Sequence, residues 1–237
     1  MKDDVGTRPL AGATAWLVTD DKIGMQVQCR GVADALGVNA IHKQVAPRGL
    51  HRVLSPWGGV ARSVRMGQAG SLFAPPWPDL AIATGRLSIP YLRALAKAAG
   101  PKTFTVVLQD PKTGTGTADL IWVPQHDKLR GANVITTLTS AHSFPQERLQ
   151  RLRSTMPEAI AALPSPRVTV ILGGTGGGYT FTDADIARLA ASLASLARQG
   201  VSFMITPSRR TPAPLLDAVD RATAAAPRIL WRGEGEN

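Results

Sequence analysis

The chain has 237 residues, enough for one large or two small domains, and 44% of them are apolar, which excludes a disordered polymer. Its net charge of +10 points to an anionic partner, and no run of about 18 apolar residues supplies a membrane-spanning helix. Cys29 is the one cysteine, and His42, His51, His126 and His142 are scattered, so an internal disulfide is excluded and no metal-ligand pattern or cofactor is indicated.

The elements begin with Ala13 to Thr19, a strand that runs into Asp20-Asp21-Lys22-Ile23-Gly24. A helix is predicted from about Gln26 to Leu36 and is stopped by Gly37. Asn39 to Val45 is the next strand. From Pro47 to Pro78 the pattern is irregular. Arg48, Arg52, Arg62 and Arg65 mix with Leu50, Leu54, Trp57 and Trp77, and no acid occurs between Asp34 and Asp79. Two readings stay open here: a basic, aromatic surface for anionic lipid or another acidic partner, or a solvated loop with ordinary core anchors. Part of Val53 to Met66 is expected to be helical.

Alternation then becomes regular. Strands are predicted at Asp79 to Thr84, Thr103 to Leu108, Asp119 to Val123 and Asn133 to Leu138, with a helix from Ser88 to Ala99. Their β-branched runs argue for a parallel sheet covered by helices, and ligands of such sheets bind at the carboxyl ends of strands. The loops holding Asp20, Lys22, Gly24, Gly85, Arg86, Gln109, His126 and Asp127 all fall at such ends. Pro145 to Leu163 reads as one helix. Pro164-Ser165-Pro166 stops it, which gives an expected first domain of residues 1–164 and a second of 165–237. The first 165 residues hold 19 Lys/Arg against 11 Asp/Glu, so most of the positive charge is on that side.

The second domain opens on the most informative stretch. A strand, Val168 to Leu172, leads into Gly173, Gly174, Thr175, Gly176, Gly177 and Gly178. Five glycines in six residues cannot sustain a helix, but they let another group approach the backbone. Thr182 and Asp185 form a capping-box start for a helix whose apolar face includes Ile186, Leu189, Leu193 and Leu196, ended by Gly200. A strand from Val201 to Thr206 ends in Pro207-Ser208-Arg209-Arg210. Loop N–H groups, a helix start and two arginines suit phosphate or carboxylate. The spacing is neither a dinucleotide fingerprint nor a Walker loop, because Tyr179 follows Gly178. A helix from Leu215 to Ala226 and a strand from Arg228 to Trp231 complete the pattern. The later strands expected of such a domain are missing, so the second domain is expected to be incomplete and the chain truncated.

Six segments together carry a resemblance: VTDDKIGMQVQCRGVADALG, ATGRLSIPYLRALAK, VVLQDPK, ADLIWVPQHDKLRGANVITT, VILGGTGGGYTFT and ITPSRRT. In this order they resemble the bacterial and plant mitochondrial-fission protein family, whose plant members are named for an elongated-mitochondria phenotype. The resemblance implies two Rossmann-like parallel-sheet domains in the GT-B arrangement of nucleotide-sugar glycosyltransferases. The first domain would take an acceptor and the second a nucleoside diphosphate. The loop at Gly173 is similar to that of the peptidoglycan N-acetylglucosaminyltransferase. Gly173, Gly174, Thr175, Gly176, Gly177, Ser208, Arg209 and Arg210 would then hold the diphosphate of a nucleoside diphosphate sugar. His126, Asp127 or Asp20 would be the base of a metal-independent glycosyl transfer. Lys22, Gly24, Arg86 and Gln109 would lie on the acceptor side, with Arg48, Arg52, Arg62 and Arg65 toward acceptor or membrane. The alternative is a non-catalytic scaffold with a degenerate sugar-nucleotide fold, docked on a membrane. Nucleic acid is not expected, since no recognition signature accompanies the charge. The first 21 residues, with two early acids, do not read as a signal peptide. A bacterial cytoplasmic protein, at most peripheral to the inner membrane, is the expectation.

Overall fold

The structure is a computed structural model that describes residues 10–175 and 179–232. It divides into two compact units, Met1–Leu149 and Gln150–Asn237. The first contains β1 (Thr14–Thr19), α1 (Ile23–Leu36), β2 (Asn39–Gln44), α2 (Gly49–Leu54), β3 (Leu80–Thr84), α3 (Ile89–Ala99), β4 (Phe104–Leu108), β5 (Leu120–Pro124) and β6 (Val134–Thr137). The strands form one parallel sheet in the order β2-β1-β3-β4-β5-β6. The chain leaves β1 in one direction to β2 and then crosses to β3 on the other side. The order therefore reverses at the β1/β3 pair, where open α/β sheets form a crevice.

Strand periodicity explains the two cores. Ala15 and Leu17 of β1 join Leu80, Ile82, Val106 and Leu108 on one face, under Cys29, Val32 and Ala33 of α1. Trp16 and Val18 point the other way, to Ala81, Ala83, Val107, Ile121 and Val123, under Ile89, Tyr91, Leu92 and Leu95 of α3. Burial pushes the Cys29 thiol up to about 12, so it behaves as a packed apolar group. Two threonine–aspartate clamps tie strand starts together. Thr14 donates its N–H and Oγ1 to Asp79, at 2.8 and 2.9 Å, and Thr105 does the same to Asp119, both at 2.7 Å. These bonds from Thr14 hold the Asp79 carboxyl below the usual range.

The second unit holds most of α4 (Gln146–Ser154), then α5 (Glu158–Ala161), β7 (Arg167–Leu172), α6 (Asp183–Arg198), β8 (Ser202–Pro207), α7 (Ala213–Thr223) and β9 (Arg228–Leu230). Its sheet is parallel, in the order β7-β8-β9. Val170, Leu172, Phe203, Ile205, Leu215 and Val219 form its core. The opposite face is open at Ile171, which is 77% exposed. The α/β class and the two parallel sheets thus stand as expected from the alternating pattern.

Local departures have local causes. α1 starts three residues early because the Asp20 carboxylate accepts the Lys22 N–H and sets the first turn. The single helix expected over Pro145 to Leu163 is two short ones. Pro157 lacks an N–H and disfavours the helical state at Met156, so the chain breaks there. The first unit ends at Leu149, whereas the sequence suggested a boundary at Pro164. The segment up to Leu163 is tied to β7: Arg167 donates to the carbonyls of Leu163 and Ala161.

Candidate functional site

In the second unit, the carboxyl ends of β7 and β8 build one turn-against-loop structure. Pro207 ends β8, and Ser208 to Thr211 folds back on the residues after β7. The Ser208 N–H donates to the Leu172 carbonyl at 3.0 Å. Thr211 Oγ1 donates to the carbonyls of Leu172 and Gly173, both at 3.0 Å, and accepts the Ser208 N–H at 2.8 Å. Ser208 Oγ accepts the Arg210 N–H at 3.3 Å. The sequence therefore spends its hydroxyls on stapling the turn, an arrangement that a Ser/Thr pair three residues apart favours. Thr211 was not among the expected site residues, although the S-R-R-T spacing carries that signal.

Gly173, Gly174 and Thr175 are thus brought against Ser208, Arg209 and Arg210. A Cβ on Gly174 would lie 2.2 Å from Arg210 Cβ and 2.6 Å from its carbonyl carbon and oxygen. The glycine there is required by the protein's own turn, before any ligand is considered. Gly173 faces open space. Gly176 and Gly177 lie outside the described residues. Arg209 and Arg210 are exposed, and neither guanidinium makes a hydrogen bond or ion pair with a described residue. These two cations beside an open backbone are the site's distinctive feature.

The start of α6 is not a vacant anion site. Thr182 and Asp185 form the expected reciprocal capping box: Thr182 Oγ1 accepts the Asp185 N–H at 3.2 Å, and Asp185 Oδ2 accepts the Thr182 N–H at 3.1 Å. Hydrogen bonds from the Thr182 side chain and backbone, then Arg188, hold the Asp185 carboxyl below its usual range. Asp183 adds a second negative charge in the first turn, so the dipole is already compensated by acids. The positive charge at this strand end is that of Arg209 and Arg210, not of the helix end. A groove of about 640 Å³ runs beside it, lined by Gly174, Tyr179, Phe181, Asp185, Arg188 and Leu189.

In the first unit the expected catalytic residues are separated. Asp20 follows β1 and is 2% exposed, with Oδ1 on the Lys22 N–H at 3.1 Å and Oδ2 on Lys22 Nζ at 2.8 Å. His126 follows β5 and is exposed. β3 and β4 stand between those strands, so the two ends are about 14 Å apart at the usual strand spacing. One proton cannot be shared across that gap. Asp127 instead belongs to a cluster with two residues that sequence reasoning left unassigned, Asp110 and Lys112. Asp127 Oδ2 accepts the Asp110 N–H at 3.2 Å, and Lys112 Nζ meets Asp110 Oδ2 at 2.8 Å. Burial pushes the Asp110 carboxyl up, but the Lys112 hydrogen bonds and charge outweigh it and leave it below the ordinary value.

Gln109 and Lys112 in this turn adopt left-handed backbone, with φ of 74° and 63°. Gln109 Nε2 reaches Gln28 of α1 at 3.0 Å, and Trp57 Nε1 reaches the Lys112 carbonyl at 3.2 Å. Arg86 is engaged structurally, donating to the carbonyls of Val53 and Ser55 that end α2. Gly24 faces open space in the first turn of α1. The four loop arginines separate: Arg48 is the N-cap of α2, Arg52 lies within α2, Arg62 opens a single 3-10 turn, and Arg65 caps that turn at φ 49°. Among the described residues, no group of three or more His, Cys, Asp or Glu is placed to hold a metal, and no helix is long and apolar enough to cross a membrane.

The two parallel sheets, with their loops at the carboxyl ends of the strands, define a mixed α/β protein of Rossmann-like units. A family model described as mitochondrial fission ELM1 matches residues 23–237, and the chain belongs to that family. It is 25% identical over 185 residues to the mitochondrial fission protein ELM1 of Arabidopsis thaliana, covering 68% of this chain and 43% of that protein. The aligned part thus spans less than half of that relative's length. No solved structure matches.

Proposed function

We propose that this protein is a nucleotide-sugar-binding member of its family, of glycosyltransferase-like, GT-B type, with the diphosphate held by the β7–α6 loop and the Ser208–Arg210 turn. The observation that carries the reading is the pair of guanidiniums of Arg209 and Arg210, which have no partner among the described residues, on a turn stapled through Thr211 to the backbone of Leu172 and Gly173. A guanidinium with no internal partner and a fixed main chain is suited to charge-assisted bonds with phosphate oxygens. Gly173 to Thr175 offers main-chain approach at the strand end where ligands of parallel sheets sit. Asp127, beside Lys112 and Asp110, is the best supported of the three base candidates, since it joins a polar cluster at a strand end.

The test is calorimetric titration with nucleoside diphosphates, their sugar conjugates and free nucleosides. The diphosphate and its sugar conjugate should bind and the free nucleoside should not. Turnover of a nucleotide sugar in the presence of acceptor separates an enzyme from a binding protein.

A second reading, a non-catalytic scaffold peripheral to an anionic membrane, is favoured by α2. Leu50 and Val53 there are 68% and 71% exposed, Trp57 just beyond is 66% exposed, and Arg48 and Arg52 flank them without an acid. Apolar side chains next to unpaired cations suit the interface of anionic lipid. Co-sedimentation with anionic vesicles that weakens with salt supports it. Equal behaviour with neutral vesicles removes it.

A further inference from the structure

A pocket on the first unit, remote in sequence from the glycine-rich loop, has its own chemistry. It lies where β2 ends, at Gln44 and Val45, and is closed by Ser63 to Arg65, by Gly70 to Leu72 and by Tyr91 of α3. Its volume is about 520 Å³, within the range of small-molecule sites. Three of its groups are unmatched. Tyr91 is 7% exposed, its ring packs on Phe73 with centroids 6.0 Å apart, and its hydroxyl has no described hydrogen-bond partner. Ser71 Oγ is buried and likewise unpartnered. Arg65 lines the same space with no ion pair to a described residue, on a backbone at φ 49° that an arginine adopts at a cost.

A buried hydroxyl normally finds a partner, and leaving Ser71 Oγ unmet in a cavity that Arg65 also lines is expensive without a ligand to complete it. Burial also pushes the Tyr91 phenol upward, which keeps its proton in place as a donor. We infer that this pocket binds a small hydroxylated anion, a phosphate monoester or a carboxylate, whose charge meets Arg65 and whose oxygens accept from Tyr91 Oη and Ser71 Oγ. The site is independent of the nucleotide reading, because it uses a different unit and none of the same residues.

The two tyrosines of the chain make the test selective, since Tyr91 lines this pocket and Tyr179 the groove beside the glycine-rich loop. The full chain is labelled with ring-13C tyrosine, assigned with Tyr179→Phe, and titrated with glycerol 3-phosphate, glycerate and glycerol. At least one of the two anions should shift the Tyr91 resonance saturably, and glycerol should not. The anion that does so names the charged group. Arg65→Asn removes the charge while suiting the left-handed backbone, and should weaken that anion by about tenfold. Arg209→Ala/Arg210→Ala should leave the Tyr91 titration unchanged. A Tyr91 resonance that stays still with both anions overturns the site, as does one that moves equally in Arg65→Asn. Loss of the shift in the Arg209/Arg210 variant assigns the anion to the glycine-rich loop instead and also overturns it.

Discussion

The carboxyl ends of the two sheets handle their polar side chains in opposite ways. In the first unit Asp20 after β1 and Asp110 after β4 are paired internally, with Lys22 and Lys112. In the second unit the hydroxyls of Ser208 and Thr211 are consumed, but the guanidiniums of Arg209 and Arg210 have no partner among the described residues. A side chain satisfied by its own turn builds structure, and one left unsatisfied at a strand end is free to recruit a ligand. The difference directs the functional reading to the second unit, although the first carries most of the acids and histidines.

The largest effects should come from glycines that the packing itself demands. A Cβ on Gly31 of α1 would lie 2.2 Å from the His142 carbonyl oxygen, a backbone atom that cannot rotate away. Gly31→Val should destabilise the protein by about 3 kcal/mol, read by chemical denaturation. Gly174→Val should cost about 1–3 kcal/mol by pushing the Arg210 backbone off the loop, and should abolish diphosphate binding with it. If Gly174→Val keeps full affinity, the turn and loop do not act as a unit.

The arginines come next. Arg209→Ala or Arg210→Ala should each lose about 1.5–3 kcal/mol of diphosphate affinity, roughly tenfold to a hundredfold, with stability unchanged. Wild-type affinity in both variants would end the assignment of this turn to phosphate. In the first unit the contrast predicts the reverse pattern. Asp20→Ala should destabilise the protein by about 1–3 kcal/mol, by stranding the Lys22 N–H at the start of α1, and should leave diphosphate affinity as it was.

The smallest effect is a pH dependence. The Asp110 carboxyl titrates below its unfolded value, so its contribution to stability is present above the unfolded value of 3.8 and is lost as pH falls through the lower folded value. Thermal unfolding followed from pH 5 downward should show a shallower loss for Asp110→Asn than for wild type. Parallel curves would mean that the Lys112 pair contributes nothing measurable.

Much of this was legible in the sequence. The strand Thr14–Thr19, buried continuously from Ala15 onward, the αL stops at Gly37 and Gly200, and the Thr182–Asp185 capping box are local, and they formed as local rules require. The pairing of the glycine-rich loop with Ser208–Arg210 was also within reach, because consecutive parallel strands end on the same edge. What the sequence left open depends on neighbours distant along the chain. Asp20, His126 and Asp127 look equivalent as strand-end residues, and the strand order sets β1 and β5 apart. Gly174 looks like a ligand-facing glycine until Arg210 is placed against it. The hydroxyl of Ser71 looks like ordinary surface polarity until the fold buries it in one cavity with Tyr91 and Arg65. Local propensity is encoded within a turn or two of chain, whereas burial and polar satisfaction are sums over contacts that only the closed fold defines.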